Sequence, residues 1–223
     1  MIPVVVIVRD RVTVLQQCLA SLQQQMPQWP GDVGTDLDIH LVDHGSTWEP
    51  MLDWLHDVPY PVHWCGDRPP RALWDWDGLP QIVKDSRYVV TDPDVVLDCP
   101  DDWLCRLGDQ LADDVVKVGL GLRLDDLPDT AVATKAAVWE APFWHTPRNT
   151  WTFRAPVDTT LALYHPLTVQ PGFRLFPAAR MAPPYLARHL PWYATEDTAE
   201  DAHYRAHVRP GASHWAHGGW ESP

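Results

Sequence analysis

Two carboxylates, Asp92 and Asp94, directly follow an apolar, β-branched run and bracket Pro93. Carboxylate oxygens are the ligands that Mg²⁺ and Mn²⁺ prefer, and a pair two residues apart can hold such a cation against a substrate diphosphate. Pro93 fixes its own φ and offers no N–H, so the turn is stiff and the spacing of the carboxylates is preset. The alternative interpretation is a strand-end turn with two solvated acids.

The run before Asp92 indicates a buried strand of a parallel sheet, and such sheets bind ligands at the carboxyl ends of their strands. Similar runs alternate, in the first half of the chain, with segments whose apolar residues recur at helical spacing. This alternation implies right-handed crossovers and a mainly parallel sheet, so the predicted fold class is α/β. Strands are predicted over residues 2–8, 38–43, 61–64, 87–91 and 115–122, and helices over 13–25, 48–56 and 101–113.

Beyond about residue 125 the pattern becomes irregular, and Pro, Trp and His accumulate. Short strands are predicted over residues 159–165 and 172–176, and an acidic helix over 196–207. His203 and His207 lie one turn apart on that helix without a His-Glu-x-x-His pattern, so we expect them on a solvated face.

Composition and charge narrow the classes of protein. The chain has 223 residues, 45% hydrophobic content and a formal net charge of −13, which suits one domain with a sizeable core. The negative charge disfavours a nucleic-acid partner, because phosphate backbones are bound by clustered Lys and Arg. The four cysteines lack CxxC spacing, which favours reduced thiols in a cytoplasm. The short apolar N-terminus does not fit a signal peptide, and no run of ~20 apolar residues predicts a membrane span, so we expect a soluble, cytoplasmic protein.

Three motifs in the first half together resemble a known family. They are the opening strand with Arg9, the strand ending in Asp43-His44-Gly45-Ser46, and the Asp92-Pro93-Asp94 turn. Their order and spacing resemble the N-terminal half of GT-A fold glycosyltransferases of the family-2-like kind, over residues 2–122. The resemblance implies a single GT-A, Rossmann-like domain over residues 1–223, with a nucleotide-sugar-binding half (1–122) and an irregular, aromatic-rich acceptor-site half (123–223).

The resemblance also implies a divalent cation, Mn²⁺ or Mg²⁺, as the cofactor. Asp94 would bind the ion directly, and Asp92 would bind ribose, or the metal through water. A third ligand often comes from the C-terminal part in this superfamily; His189 is our choice and His214 competes with it, although a lone histidine is more often structural.

The same resemblance assigns the donor contacts. Asp43 suits a uracil N3–H or a ribose hydroxyl, although a capped turn before the next helix is the alternative. Arg71 suits a diphosphate and Trp74 a sugar face, or both belong to an ordinary surface loop. The predicted nucleotide-sugar-binding residues are Arg9, Asp43, Ser46, Asp67, Arg71, Trp74 and Asp92.

Transfer of a sugar with inversion needs a carboxylate that takes the proton of the acceptor hydroxyl. Asp158 follows Asp94 at a separation that resembles the placement of the catalytic base in this superfamily, and Glu140 is the rival. The alternative for Asp158 is an N-cap or loop acid. No Glu-Asp or Asp-Asp acid pair of the common inverting type is present, so the stereochemical outcome stays open.

We therefore predict an enzyme that transfers a sugar from a nucleotide-diphosphate donor to a hydroxyl of a protein, a glycan or a small molecule. The resemblance implies a UDP-sugar as the default donor. Most of the tryptophans are expected in the core, with Trp139, Trp144 and Trp192 as candidates for the acceptor cleft. The alternatives are a sugar nucleotidylyltransferase, which would need a glycine-rich phosphate loop after the first strand, and a non-catalytic carbohydrate-binding module.

Overall fold

The structure is a computed structural model that describes residues 1–25 and 37–209. The α-helices in these residues are α1 Val12–Gln24, α2 Glu49–Asp57, α3 Leu79–Val83, α4 Trp103–Gln110, α5 Ala131–Glu140 and α6 Ala199–His207, and 3₁₀ helices occur at Pro70–Asp75, Ala141–Trp144 and Leu190–Trp192. The strands are β1 Ile2–Val8, β2 Leu37–Asp43, β3 Val62–Trp64, β4 Tyr88–Thr91, β5 Val95–Asp98, β6 Lys117–Gly119, β7 Gly121–Leu122, β8 Thr152–Arg154, β9 Ala162–Tyr164, β10 Ala178–Met181 and β11 Leu186–His189. His214, the alternative third metal ligand, lies outside the described residues.

Strand β1 is the centre of the parallel part of the main sheet. It pairs in parallel with β2 on one side and with β4 on the other. Its valines are fully buried because both faces of the sheet are covered there. Leu15, Leu19 and Leu22 recur at helical spacing and pack α1 into the larger hydrophobic core. The predicted strand and helix of this segment are confirmed.

The main sheet has eight strands in the order β3-β2-β1-β4-β9-β6-β10-β8. Pairs β1-β2, β1-β4, β2-β3 and β6-β10 are parallel, whereas β9 runs antiparallel to both neighbours and β8 antiparallel to β10. The predicted α/β class with a mainly parallel central sheet is confirmed. Because β9 lies between β4 and β6, the second half of the chain completes the sheet that the first half begins.

A second sheet of three strands, β5-β11-β7, positions the turn at residues 92–94. Strand β11 runs antiparallel to β5, and its register pairs His189 with Val95. The backbone N–H of Leu190 also donates to the carbonyl of Asp94 at 2.8 Å. This pairing brings a C-terminal histidine next to the carboxylate turn after β4.

Two strand predictions are wrong in detail. The predicted strand over 115–122 is interrupted at Leu120, and its pieces β6 and β7 belong to different sheets. The predicted strand over 172–176 is wrong: those residues form no strand, and β10 begins only at Ala178. The apolar residues of that segment include Leu175 and Phe176, which are exposed, so their apolar character does not reflect burial in a sheet.

Helix α5 lies in the half that the sequence pattern left unassigned. Its N-cap is Thr130, whose side chain accepts the backbone N–H of Ala133. The helix is rich in alanine and has no clear polar face, so helical periodicity gives no signal for it. None of the helices in the described residues is both long enough and apolar enough to span a membrane.

Candidate functional site

A cavity of about 740 Å³ opens where β1 and β4 end. Of the predicted site residues, Arg9, Arg71, Asp92, Asp94, Glu140, Asp158 and His189 line it together. Asp43, Ser46, Asp67 and Trp74 are not among the residues that line it. The tertiary structure therefore brings the predicted metal ligands, both candidate bases and the two arginines predicted to bind the donor to one place.

Asp94 forms a buried ion pair with Arg11. The Arg11 Nη1 atom lies 2.6 Å from Asp94 Oδ2, and both side chains are about nine-tenths buried. Burial works to lower the pKa of Arg11, but Asp94, with Tyr204 and Asp201 nearby, raises it above its usual value. Arg11 is thus a cation at pH 7, and it holds one oxygen of Asp94.

The other oxygen of Asp94 faces His189. The Oδ1 atom is buried, accepts no hydrogen bond from the described residues, and lies 3.6 Å from His189 Nε2. Burial lowers the pKa of His189, so its imidazole is neutral at pH 7. The ring of Trp192 packs on His189 with a centroid separation of 4.8 Å. A neutral imidazole and a carboxylate oxygen therefore face each other across a gap.

Asp92 occupies a site with excess negative charge. Its Oδ2 atom accepts a hydrogen bond from Thr159 Oγ1 at 2.9 Å. Burial, and then the neighbouring charges of Asp94 and Asp158, raise the pKa of Asp92 well above its usual value. A bound cation at this place would offset that repulsion.

These residues fit a divalent cation at the Asp94 and His189 end of the cavity. The buried oxygen of Asp94 that lacks a hydrogen bond and the neutral imidazole nitrogen are both ligands that suit Mn²⁺. Within residues 1–25 and 37–209 no three His, Cys, Asp or Glu side chains form a ready-made metal cluster. The protein would therefore supply few ligands, which is usual where substrate phosphates complete the shell.

Asp158 is held in a polar turn at the cavity. Its Oδ1 atom accepts the backbone N–H of Thr160 at 3.0 Å and the hydroxyl of Thr160 at 2.9 Å. Burial works to raise the pKa of Asp158, but the Thr160 N–H, then Arg180 and Lys117, lower it below its usual value. Asp158 is therefore ionised at pH 7 and can accept a proton.

Glu140 is engaged differently from Asp158. Its Oε2 atom pairs with Arg180 Nη1 in an ion pair that is almost fully buried. Burial raises the pKa of Glu140 despite the neighbouring guanidinium. Arg180 also donates through Nε to the carbonyl of Pro156 at 2.8 Å. Glu140 thus anchors Arg180 beneath the Asp158 turn.

Lys117 lies beside the same turn and is fully buried. Its Nζ atom donates to the carbonyl of Asp158 at 2.9 Å and to the hydroxyl of Tyr164 at 3.1 Å. Burial lowers the pKa of Lys117 to about 7, against the attraction of Asp158 and Asp92. A buried amine therefore supports the backbone of the candidate base.

The donor-binding residues predicted from the second motif form a tight turn after β2. Asp43 Oδ1 accepts the backbone N–H groups of Gly45 at 2.9 Å and Ser46 at 3.0 Å, and Oδ2 accepts the Ser46 hydroxyl. Gly45 has φ +88°, and a Cβ there would lie 2.7 Å from the Cα of Asp67. Both oxygens of Asp43 thus already shape this turn, and its role in nucleotide binding stays a prediction.

Arg9 connects this turn to the end of the described chain. It donates through Nη1 to the carbonyl of His44 at 3.0 Å and to Asp67 at 2.6 Å, and through Nη2 to the carbonyl of His207 at 2.9 Å. Hydrogen bonds from Arg209 and then Arg9 lower the pKa of Asp67 to about 2. Arg9 reaches the cavity, whereas Asp67 is half exposed beside it.

Helix α6 lies over the side of the cavity where β1 and β2 end. Glu200 accepts the backbone N–H of Thr13 at 3.0 Å, and His203 Nε2 lies 2.9 Å from the hydroxyl of Thr47. The His203 ring also packs on Trp48 at a centroid distance of 4.8 Å. The expected solvated position of His203 is wrong, because the helix turns this residue toward the ends of β1 and β2.

The aromatic candidates divide between cavity and core. Trp139 and Trp192 line the cavity, whereas Trp144 is not among the lining residues and packs against Phe153. Trp74 donates to the hydroxyl of Tyr88 at 2.9 Å and packs, partly buried, against a second hydrophobic cluster that includes Val5, Ile7 and Tyr88. Its ring packs on Tyr164 and Phe173 and does not line the cavity, so the predicted contact of Trp74 with a sugar face stays a prediction.

Sequence reasoning missed Arg11, Thr159 and Lys117. Arg11 stands next to the predicted Arg9, and Thr159 next to the predicted Asp158, but no motif marks either residue. The one available signal was Lys117, a lone lysine within an apolar predicted strand.

No family model matches the sequence, and no curated protein matches it either. In structure, the chain is similar to a mannosyltransferase from Pyrobaculum calidifontis in complex with GDP-Man and Mn²⁺, with a TM-score of 0.53 and 16% identity over 92% of this chain and 59% of that one. It is also similar to residues 1–349 of S. aureus TarS, with a TM-score of 0.49 and 9% identity over 84% and 59% of the two chains. GalNAc-T7 with UDP, GalNAc and Mn²⁺ gives a TM-score of 0.45 and 11% identity over 91% and 47%.

The similarity to the mannosyltransferase shows the fold. At 16% identity and a TM-score of 0.53, the described chain has the GT-A fold of that structure. The chain spans less than two thirds of the length of the mannosyltransferase, of which it covers 59%.

Proposed function

We propose that the chain is a metal-dependent glycosyltransferase that moves a sugar from a nucleotide diphosphate, with UDP-sugars as the first candidates, to a hydroxyl acceptor. One observation carries the proposal: within a GT-A fold, a single cavity is lined by the Asp92 and Asp94 pair, His189 and the ionised Asp158. Thr159 bonds to Asp92, so the candidate base and the carboxylate pair are adjacent.

Asp94 and His189 are the residues that would hold Mn²⁺ or Mg²⁺, with Asp92 beside them. The bound cation would neutralise the negative charge of the departing nucleotide diphosphate. Arg71 is exposed, lines the cavity and can donate bidentate hydrogen bonds to phosphate oxygens. Arg11 is already held by Asp94, so it would position that carboxylate and add positive charge near the phosphates.

Asp158 is the proposed base. It would take the acceptor proton while the acceptor oxygen forms its bond to the anomeric carbon and the bond from that carbon to the diphosphate oxygen breaks. Attack from the side opposite the leaving group inverts the anomeric carbon. Glu140 is less suited to this role, because its carboxylate is committed to Arg180.

Nucleotide binding tests the proposal directly. We expect UDP or GDP to raise the thermal midpoint in the presence of Mn²⁺, and a ligand at 100 times its Kd adds about 2.7 kcal/mol to the free energy of unfolding. Asp94→Asn should abolish the metal-dependent part of the shift. Asp109→Asn, which changes an exposed carboxylate of α4, is the matched control and should leave it unchanged. If no nucleotide stabilises the protein, or if the shift in thermal midpoint does not depend on Mn²⁺, the proposal is wrong.

Asp158→Asn tests the base separately from binding. Asparagine keeps an oxygen for the Thr160 N–H and hydroxyl, so the fold and the nucleotide shift should be preserved. Turnover of the nucleotide sugar that binds best should fall by roughly 10²–10⁴-fold, the usual contribution of a positioned base. If the Asp158→Asn variant keeps the wild-type rate, another group is the base.

A further inference from the structure

Two segments that border the cavity carry exposed apolar side chains. Val132 and Val138 on α5 are 42% and 72% exposed, and Leu175 and Phe176 before β10 are 40% and 55% exposed. Large apolar groups at these exposures cost free energy in water, and clusters of them mark binding surfaces. Both segments border the cavity, because Val132 and Leu175 line it.

Two contacts connect this surface to the backbone next to Asp158. The carbonyl of Leu175 accepts the backbone N–H of Val157, the residue before Asp158, at 3.3 Å. On the other side, the ring of Phe143 lies 4.5 Å from the guanidinium carbon of Arg180. Arg180 in turn donates to the carbonyl of Pro156, so both contacts end within two residues of the candidate base.

Four side chains that line the cavity form what we call the apolar wall: Val132, Trp139, Phe143 and Leu175. The charged groups at its base are Glu140 and Arg180, which are paired with each other and nearly fully buried. Phe143 covers one face of the guanidinium. A sugar acceptor would bury hydroxyl groups that need hydrogen bonds, and hydroxyls left unpaired against such a wall oppose binding.

We propose that the acceptor carries its reactive hydroxyl on an apolar or aromatic body, which packs on the apolar wall while the hydroxyl reaches Asp158. This inference rests on the proposed glycosyl transfer and narrows its acceptor. It favours a small alcohol or phenol over a glycan end, because the wall supplies apolar area and its charged groups are already bonded.

Matched alcohols test this acceptor class without any nucleotide. Binding of 3-phenylpropan-1-ol, hexan-1-ol and propane-1,3-diol would be measured by ligand-observed NMR titration of the full chain. We expect both apolar alcohols to bind and the diol to bind at least tenfold more weakly; the phenyl and hexyl arms separate an aromatic body from an alkyl one. Equal affinity for the diol and the phenyl alcohol would overturn the inference.

Two substitutions locate the binding. Leu175→Ser and Val132→Ser change exposed side chains, so the protein should fold, and each should weaken the apolar alcohols by about tenfold. Val169→Ser is the matched control, since Val169 is 65% exposed and is not among the residues that line the cavity. Equal effects of all three variants would show that the alcohol binds elsewhere and would end the inference.

The two proposals can fail separately. Neither variant of the apolar wall lies among the proposed nucleotide or metal ligands, so both should keep the Mn²⁺-dependent shift with UDP or GDP. A kept shift with no preference for apolar alcohols removes the acceptor inference and leaves glycosyl transfer standing. A lost shift in the wild-type protein removes the proposed function itself.

Discussion

Asp94 contacts two nitrogen-bearing side chains with different consequences. Arg11 donates to one of its oxygens in a buried ion pair, and His189 lies across a gap from the other. Burial removes the charged carboxylate of Asp94 from water, which costs free energy. The positive charge of Arg11 offsets that cost. One carboxylate can thus be held by a guanidinium and still present an oxygen to a cation.

Arg11→Met should destabilise the protein by about 3–5 kcal/mol, because it leaves the Asp94 charge buried without its partner. Mn²⁺ should restore more stability to this variant than to the wild type, since the ion offsets the same charge. Urea unfolding with and without Mn²⁺ measures both effects. Arg154→Met, which breaks an exposed pair with Asp114, should cost about 0–1 kcal/mol and respond to Mn²⁺ like the wild type. Equal losses in the two variants would contradict this account.

Lys117 makes stability depend on pH. Burial lowers the pKa of Lys117 to about 7, whereas the pKa of a lysine in an unfolded chain is about 10.4. Between these values the unfolded chain binds more protons, so this residue makes the free energy of unfolding rise as the pH increases from 7 to 10. Lys117→Met should remove that rise. The stability of the variant relative to the wild type should therefore be highest at pH 7.

The measurement is urea unfolding of wild type and variant at pH 7, 8 and 9. The difference in free energy, variant minus wild type, should fall steadily with pH. Lys135→Met, at an exposed position of α5, should give a constant difference. A constant difference for Lys117→Met would mean that the buried amine titrates as it does in water.

At the scale of elements, α6 completes the side of the cavity next to the ends of β1 and β2. It contacts Arg9 through the carbonyl of His207, and Thr13 and Thr47 through side chains. Its start is a capping box, in which Thr198 accepts the Asp201 N–H and Asp201 accepts the Thr198 N–H. The helix therefore begins with a strong local capping motif and also makes long-range contacts near the ends of β1 and β2.

Thr198→Ala should loosen α6 without unfolding the protein. Loss of an N-cap costs about 1 kcal/mol, so hydrogen exchange of the α6 amides should speed up by roughly fivefold. Thr130→Ala removes the cap of α5 instead and should leave α6 exchange unchanged. Unchanged exchange in the Thr198 variant would show that α6 is held by its contacts alone.

At the scale of the whole molecule, the two halves share their sheets. Strand β9 lies between β4 and β6, and β11 lies between β5 and β7. Neither half can complete a sheet without the other, which favours the predicted single domain. The cavity follows from the same arrangement, because Asp92 and Asp94 come from the first half and Asp158 and His189 from the second.

This sharing predicts one cooperative unfolding transition. Tryptophan fluorescence and far-ultraviolet circular dichroism should give coincident urea curves, since tryptophans occur in both halves. A fragment of residues 1–122 should not fold, because it lacks β9 on one edge of β4 and every strand that pairs with β5 and β6. Two separated transitions, or a folded fragment, would instead establish two domains.

The sequence by itself determined several local elements of the first half, although not α3 or β5, and it determined the carboxylate turn after β4. Apolar runs and helical spacing are read over a few neighbouring residues, and this is why β1, α1 and the exit at Asp92 could be predicted. The same reasoning named Asp158 and His189 only through a resemblance, and it failed for α5, whose alanines carry no periodic signal.

Only the tertiary structure decided which side chains meet. His189 reaches Asp94 because β11 pairs with β5 in one register, and a shift of one residue would turn the histidine to the other face. Arg11 reaches Asp94, and Lys117 the carbonyl of Asp158, across contacts between distant parts of the chain. Such contacts depend on the packing of the whole sheet, which no local pattern of residues encodes.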